Sequence, residues 1–136
     1  MTPLFRRLQP ALKFRISPSS IARLLKIPKH LIVRVESWAY IVFVHRRDKG
    51  GQFISYRQLR QWFNAIACQI QHCTTCQQLQ QLWLAIERDR KIHNKQYNHQ
   101  DAALLSNFWT RCWYTLSIDI LTTPPLEVAL RCVTLR

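Results

Sequence analysis

Residues 19–37 read SSIARLLKIPKHLIVRVES, and the conformation of the second half of that stretch decides the fold of the amino-terminal half of the chain. The first half is a helix. Ser17 followed by Pro18 opens it, because a serine side chain accepts an orphan backbone N–H and proline at the first helical position gives up no hydrogen bond. Ile21, Leu24 and Leu25 form its apolar stripe, and Pro28 ends it by pushing the residue before it out of the α region. Residues 29–38 support two readings. Leu31, Val35 and Trp38 recur at helical spacing, whereas Ile32, Val33 and Val35 include β-branched neighbours that suit a strand. Helix is the favoured reading; a strand would turn the region into a three-stranded meander with a basic surface.

Working outward, residues 40–47 (YIVFVHRR) and 52–56 (QFISY) are rich in β-formers and flank Asp48, Lys49, Gly50 and Gly51, the last two being the only glycines of the chain. Glycine supplies the positive φ that a tight turn needs, so the segment is expected to be a β-hairpin. Three amphipathic helices follow. Ser55 and Gln58 form a capping box ahead of Leu59, Trp62, Phe63, Ile66 and Ile70; Thr75 and Gln78 do the same ahead of Leu79, Leu82, Trp83 and Ile86. Asn98 and Asp101 open the third, with Leu105, Phe108, Trp109, Cys112 and Leu116. Joined by short polar links, they should pack as a bundle. Pro124 and Pro125 break what comes after. The expected organisation is one domain made of a mobile basic arm (1–16), a helical-hairpin and β-hairpin region (17–57), a helical segment packed on it (58–118) and a tail (119–136).

The stretch 19–37 resembles the helix-turn-helix of bacterial and phage regulators. Ala22 takes the small position where two helices cross, Leu25 and Ile27 bracket the turn, and Ile32 and Val35 point back from the second helix. The departure is Lys26, where that family usually has a glycine in the left-handed turn conformation. The hairpin directly after the second helix resembles the wing of a winged helix. The fold class implied is mainly α: a winged helix-turn-helix-like amino-terminal half with a β-hairpin, followed by a three-helix carboxy-terminal segment. The resemblance further implies that Lys29, His30, Val33 and Arg34 face solvent on a recognition helix, with Arg34 able to donate two bonds to a guanine edge. Lys26, Lys29, Arg46, Arg47, Lys49 and Arg57 would contact phosphate.

Charge points the same way. Residues 1–67 hold thirteen Lys and Arg against Glu36 and Asp48, which places +11 of the formal +13 in that half. A segregated field of one sign attracts polyanions. Double-stranded DNA is the favoured ligand and a small DNA-binding regulator, or an accessory factor of a phage or mobile element, the expected function. An RNA- or ribosome-associated role, with Phe43, Phe53 or Tyr56 stacking on bases, and docking on an acidic protein are the alternatives. Core packing is the expected job of most of those aromatics. A homodimer contact, which would let paired modules read paired half-sites, is placed on the helices of Trp83 and Trp109, with intramolecular core the favoured role of each tryptophan singly.

Other chemistry is thinly supported. Cys68, His72, Cys73 and Cys76 have the residue types and part of the spacing of a zinc site, but no second Cys or His pair completes it, so buried thiols are expected and no metal or other cofactor. Glu87, Asp89, Lys91 and His93 supply nuclease-like residue types without a geometry that lets carboxylates face one another, and no phosphate loop or nucleophile elbow is present. An enzyme is not expected. Five irregularly spaced cysteines and the lack of a leader-like apolar run point to the cytoplasm. The longest apolar run, residues 38–44, is well short of the ~20 residues that span a bilayer.

Overall fold

The computed structural model describes residues 1–122, and their side chains as far as residue 118. The protein is mainly helical, with one three-stranded antiparallel sheet. Its contacts divide into two compact units, residues 8–62 and residues 1–7 with 63 onward.

In the first unit, the short helix α2 (Pro10–Lys13) precedes α3 (Pro18–Leu25). Ser17 caps α3 by accepting from the Ser20 N–H, and Lys26 ends it in the left-handed conformation at φ 57°. The helix expected over residues 29–38 does not form. A 3₁₀ turn (Lys29–Leu31) leads instead into strand β1 (Ile32–Ser37). The physical reason is that β2 (Val42–Arg46) and β3 (Gly50–Ile54) form the anticipated hairpin, which would otherwise leave the outer edge of β2 unpaired. β-Branched residues can take that edge at little cost, and a distant partner thereby outweighs a local helical period.

The register runs from Arg34 opposite His45 to Ser37 opposite Val42, and from Val42 opposite Ile54 to Arg46 opposite Gly50. A bulge between Ile32 and Arg34 leaves Val33 out of register and exposed. Because side chains alternate along a strand, the register defines two faces. Ile32, Val42, Val44 and Ile54 are buried on one, the side on which α3 places its buried Ile21 and Ala22. Tyr56, wholly buried, belongs to this core and not to a binding surface; its hydroxyl donates to the Trp38 carbonyl, and burial raises its phenol above the usual 10.0 despite a hydrogen bond from Ser37. Phe14 meets Tyr56 and Trp62 edge to face, with centroids 6.1 and 6.5 Å apart.

The Ser55 and Gln58 capping box is present, but it caps a 3₁₀ turn (Tyr56–Gln58); the helix α4 (Arg60–His72) starts two residues later. The second unit contains most of α4 together with α1 (Pro3–Leu8), α5 (Cys76–Ile92) and α6 (His99–Thr122). Thr75 caps α5 by accepting from the Gln78 N–H, while the Gln78 side chain accepts from the Thr74 N–H and so leaves the expected box half formed; Asn98 accepts from the Gln100 N–H at the start of α6. The chain start is not a free arm. Thr2, Leu4 and Phe5 are buried, and the Thr2 hydroxyl donates to the fully buried carboxylate of Asp89, which also accepts from the Tyr97 hydroxyl. The indoles of Trp83, Trp109 and Trp113 stack in series at 5.0 and 5.4 Å, and Trp109 Nε1 donates to the Leu79 carbonyl. Helix α6 continues through Thr122, so the expected tail begins later than residue 119; its remainder lies outside the described residues, as do Pro124, Pro125 and Cys132. Among the described residues no helix is long and apolar enough to cross a membrane.

Candidate nucleic-acid interface

The sheet unit, residues 8–62, carries eleven Lys and Arg against two acids. Both acids are occupied by arginines two residues away. Arg34 Nε donates to Glu36 Oε2 at 2.8 Å, and Arg46 grips Asp48 with two bonds, Nε to Oδ1 at 3.0 Å and a terminal nitrogen to Oδ2 at 2.8 Å. That fork holds the Asp48 carboxyl below the usual carboxylate range, chiefly through the Arg46 hydrogen bonds.

Arg46 and Arg57, both expected to contact phosphate, are buried. Arg46 is only 6% exposed and also donates to Gln52 Oε1 at 3.0 Å, which pins the two arms of the hairpin together. Arg57 is buried as well, its guanidinium 5.0 Å from the Trp62 ring centroid. Sequence alone could not separate these two from their neighbours, because burial depends on strand parity at Arg46 and on the 3₁₀ turn at Arg57.

Four of the candidate residues lie on two segments that hydrogen bonds join. Arg47 donates its backbone N–H to the Leu31 carbonyl at 2.8 Å and its Nε to the His30 carbonyl at 3.0 Å, so the 3₁₀ turn carrying Lys29 and His30 is tied to the hairpin tip carrying Arg47 and Lys49. All four are exposed, as is Lys26 just before the turn. Gly50, at φ 74°, makes the tip turn possible. With Asp48 neutralised from within by Arg46, this end of the sheet presents positive charge.

The outward face of the sheet adds aromatic rings. Arg34, Glu36, Phe43, His45, Gly51 and Phe53 point there by register, and Trp38 follows on the same side two residues after Glu36. Trp38 stacks on Phe43 with centroids 5.3 Å apart and planes at 15°; Phe53 meets Trp38 at 5.3 Å and Phe43 at 5.6 Å. Phe53 is 55% exposed and Trp38 44%. The core role expected for Phe43 and Phe53 is thus corrected: they belong to the face opposite the buried one. Trp38 was hidden by its helical spacing from Leu31 and Val35, although the alternation of Arg34, Glu36 and Trp38 carries the strand signal. His45 Nδ1 is buried on this face without a hydrogen-bond partner.

In the helical unit, the four candidate zinc ligands do not converge. Cys68 Sγ lies 3.6 Å from His72 Nδ1, but that nitrogen is 2.7 Å from the Cys68 carbonyl; the Cys73 thiol donates to the Gln69 carbonyl, and Cys76 pairs with Ser117. Among the described residues no three His, Cys, Asp or Glu are grouped to hold a metal. Glu87 is exposed and bonded to Arg90, while Asp89 points inward, so the two carboxylates serve separate structural ends. Glu87 borders an open groove of about 650 Å³ that Arg88, Arg90, Lys91 and Asn94 also line.

Neither a protein-family model, nor a curated protein, nor a solved structure matches this chain.

Proposed function

We propose that this chain is a nucleic-acid-binding protein whose phosphate contacts come from the end of the sheet where Lys26, Lys29, Arg47 and Lys49 are exposed. The observation that carries the reading is the pair of bonds from Arg47 to residues 30 and 31, which gathers cations from two separated segments beside an acid already occupied. Unlike an evenly solvated basic surface, this one combines a positive end with aromatic rings on the outward face of the same sheet.

The resemblance to helix-turn-helix regulators favours duplex DNA. Supporting it, α3 and the left-handed Lys26 turn are formed. Against it, the residues that would enter the major groove are a strand with Arg34 engaged by Glu36. A sheet with exposed cations and rings suits a strand with accessible phosphates and bases better, and that is the ligand we favour.

The test is binding measured against salt. Counterion release from four phosphate contacts gives a log–log slope of about −3.6 for duplex DNA and about −2.8 for a single strand. Arg47→Gln should make the slope shallower by roughly 0.7 to 0.9. Binding that does not weaken with salt, or a slope untouched by Arg47→Gln, would refute the reading.

A further inference from the structure

The aromatic face has a surface role that phosphate binding alone leaves unexplained. Trp38, Phe43 and Phe53 form a contiguous group of rings on the outward side of the sheet, two of them about half exposed. A strand face meant only for water carries polar side chains at these positions. Part of the group does serve the sheet: the Phe43 ring lies over Gly51, where a Cβ would stand 2.8 Å from it. That fixes Phe43 and leaves Trp38 and Phe53 presenting ring surface outward.

We infer that this face stacks unpaired bases of single-stranded RNA, with Trp38 and Phe53 as the platform. The inference rests on the proposed function and specifies its ligand. Charge complementarity chooses the occupant: the rings lie on the outward face of a sheet whose unit carries nine more cations than acids, Arg34 and Glu36 on that face offsetting one another. A polyanion that also offers flat apolar surfaces is a nucleic acid with its bases unstacked. A duplex keeps those surfaces inside. Within the group stands one carboxylate, Glu36, engaged by Arg34 Nε on one oxygen and by Trp38 Nε1 at 3.4 Å on the other. A carboxylate repels phosphate but accepts from hydroxyl donors, and its spare lone pairs suit the ribose 2′-hydroxyl that DNA lacks.

The experiment uses the full chain and three fluorescent probes of one mixed sequence of about 12 nucleotides, within the site sizes such surfaces cover: single-stranded RNA, its DNA counterpart and the RNA duplex. Wild type should bind single-stranded RNA most tightly. Phe53→Leu keeps an apolar side chain at an exposed position and removes the π face; it should weaken that binding between about 5-fold and 150-fold, with the salt slope unchanged. Trp38→Leu should act in the same direction, while Phe53→Tyr should bind as wild type does. Near-ultraviolet circular dichroism confirms that each variant is folded. Wild-type affinity in both leucine variants overturns the inference while leaving the phosphate-binding reading intact. Equal affinity for the DNA strand overturns the assignment to RNA. Failure of wild type to bind any probe in a salt-dependent way refutes the parent reading, and this one with it.

Discussion

Gly51→Ala tests whether the aromatic face is a braced structure or a loose surface cluster. Gly51 has no positive φ to forfeit, so on backbone grounds alanine should stabilise by about 0.5 to 1 kcal/mol through the entropy of the unfolded chain. The new Cβ, however, would lie 2.8 Å from Phe43 Cε2 and 3.1 Å from Cζ. Comfortable carbon contacts need about 3.5 Å, so the ring must retreat by roughly 0.7 Å. It cannot do so freely, because Trp38 is stacked on it at 5.3 Å and Phe53 stands 5.6 Å away. Overpacking of this kind costs about 1 to 3 kcal/mol, which outweighs the entropic gain and predicts a net loss of about 1 kcal/mol. Removing the ring should reverse the sign: in a Phe43→Leu background the same substitution should stabilise by about 0.5 kcal/mol, a coupling of about 1.5 kcal/mol. Urea denaturation of the four proteins measures it, provided the slopes agree. An identical effect of Gly51→Ala in both backgrounds would show that Phe43 is not held in place and remove the physical basis of a preorganised platform.

Two further outcomes concern stability. Asp89→Ala strips the buried hydroxyls of Thr2 and Tyr97 of their acceptor and should cost about 3 kcal/mol or more, whereas Asp89→Asn, which still accepts on one oxygen, should cost clearly less; thermal melts compare them. The pH dependence has a sign at each end. The lowered Asp48 carboxyl stabilises the hairpin above its ordinary value of 3.8, an effect lost as pH falls below that through the folded value. The raised Tyr56 phenol contributes fully below pH 10.0, and its contribution disappears as pH climbs from there through its folded value. Circular dichroism at pH 3, 7 and 11, in wild type, Asp48→Asn and Tyr56→Phe, checks both; acid sensitivity unchanged in Asp48→Asn, or alkaline sensitivity unchanged in Tyr56→Phe, would contradict the assignment of that end.

The candidate site was partly legible before its fold was known. Charge and the resemblance point to Lys26, Lys29, His30, Arg47 and Lys49, and the structure exposes all five. What the resemblance obscured was the surface that joins them. A helix over residues 29–38 would have turned Glu36 away from Arg34 and Trp38, whereas a strand puts Arg34, Glu36 and Trp38 on one side. Arg46 and Arg57 read as binding residues because a charge count treats all arginines alike. Parity along β2 turns Arg46 inward, where Asp48 and Gln52 satisfy it, and the turn after Ser55 lays Arg57 on Trp62.

The amino-acid order by itself determined features whose causes lie within a few residues. The starts of α3, α5 and α6 follow from Ser17, Thr75 and Asn98 accepting nearby N–H groups; the hairpin turn follows from Gly50, and the positive half from composition. Tertiary structure decided the conformation of residues 32–37, the inward turn of Arg46, the anchoring of Thr2 on Asp89 and the exposure of Trp38 and Phe53. Each of these turns on a partner or a face supplied from elsewhere in the chain. The β-branched segment becomes a strand because the edge of β2 offers it hydrogen bonds, and side chains acquire their sides only once that register exists.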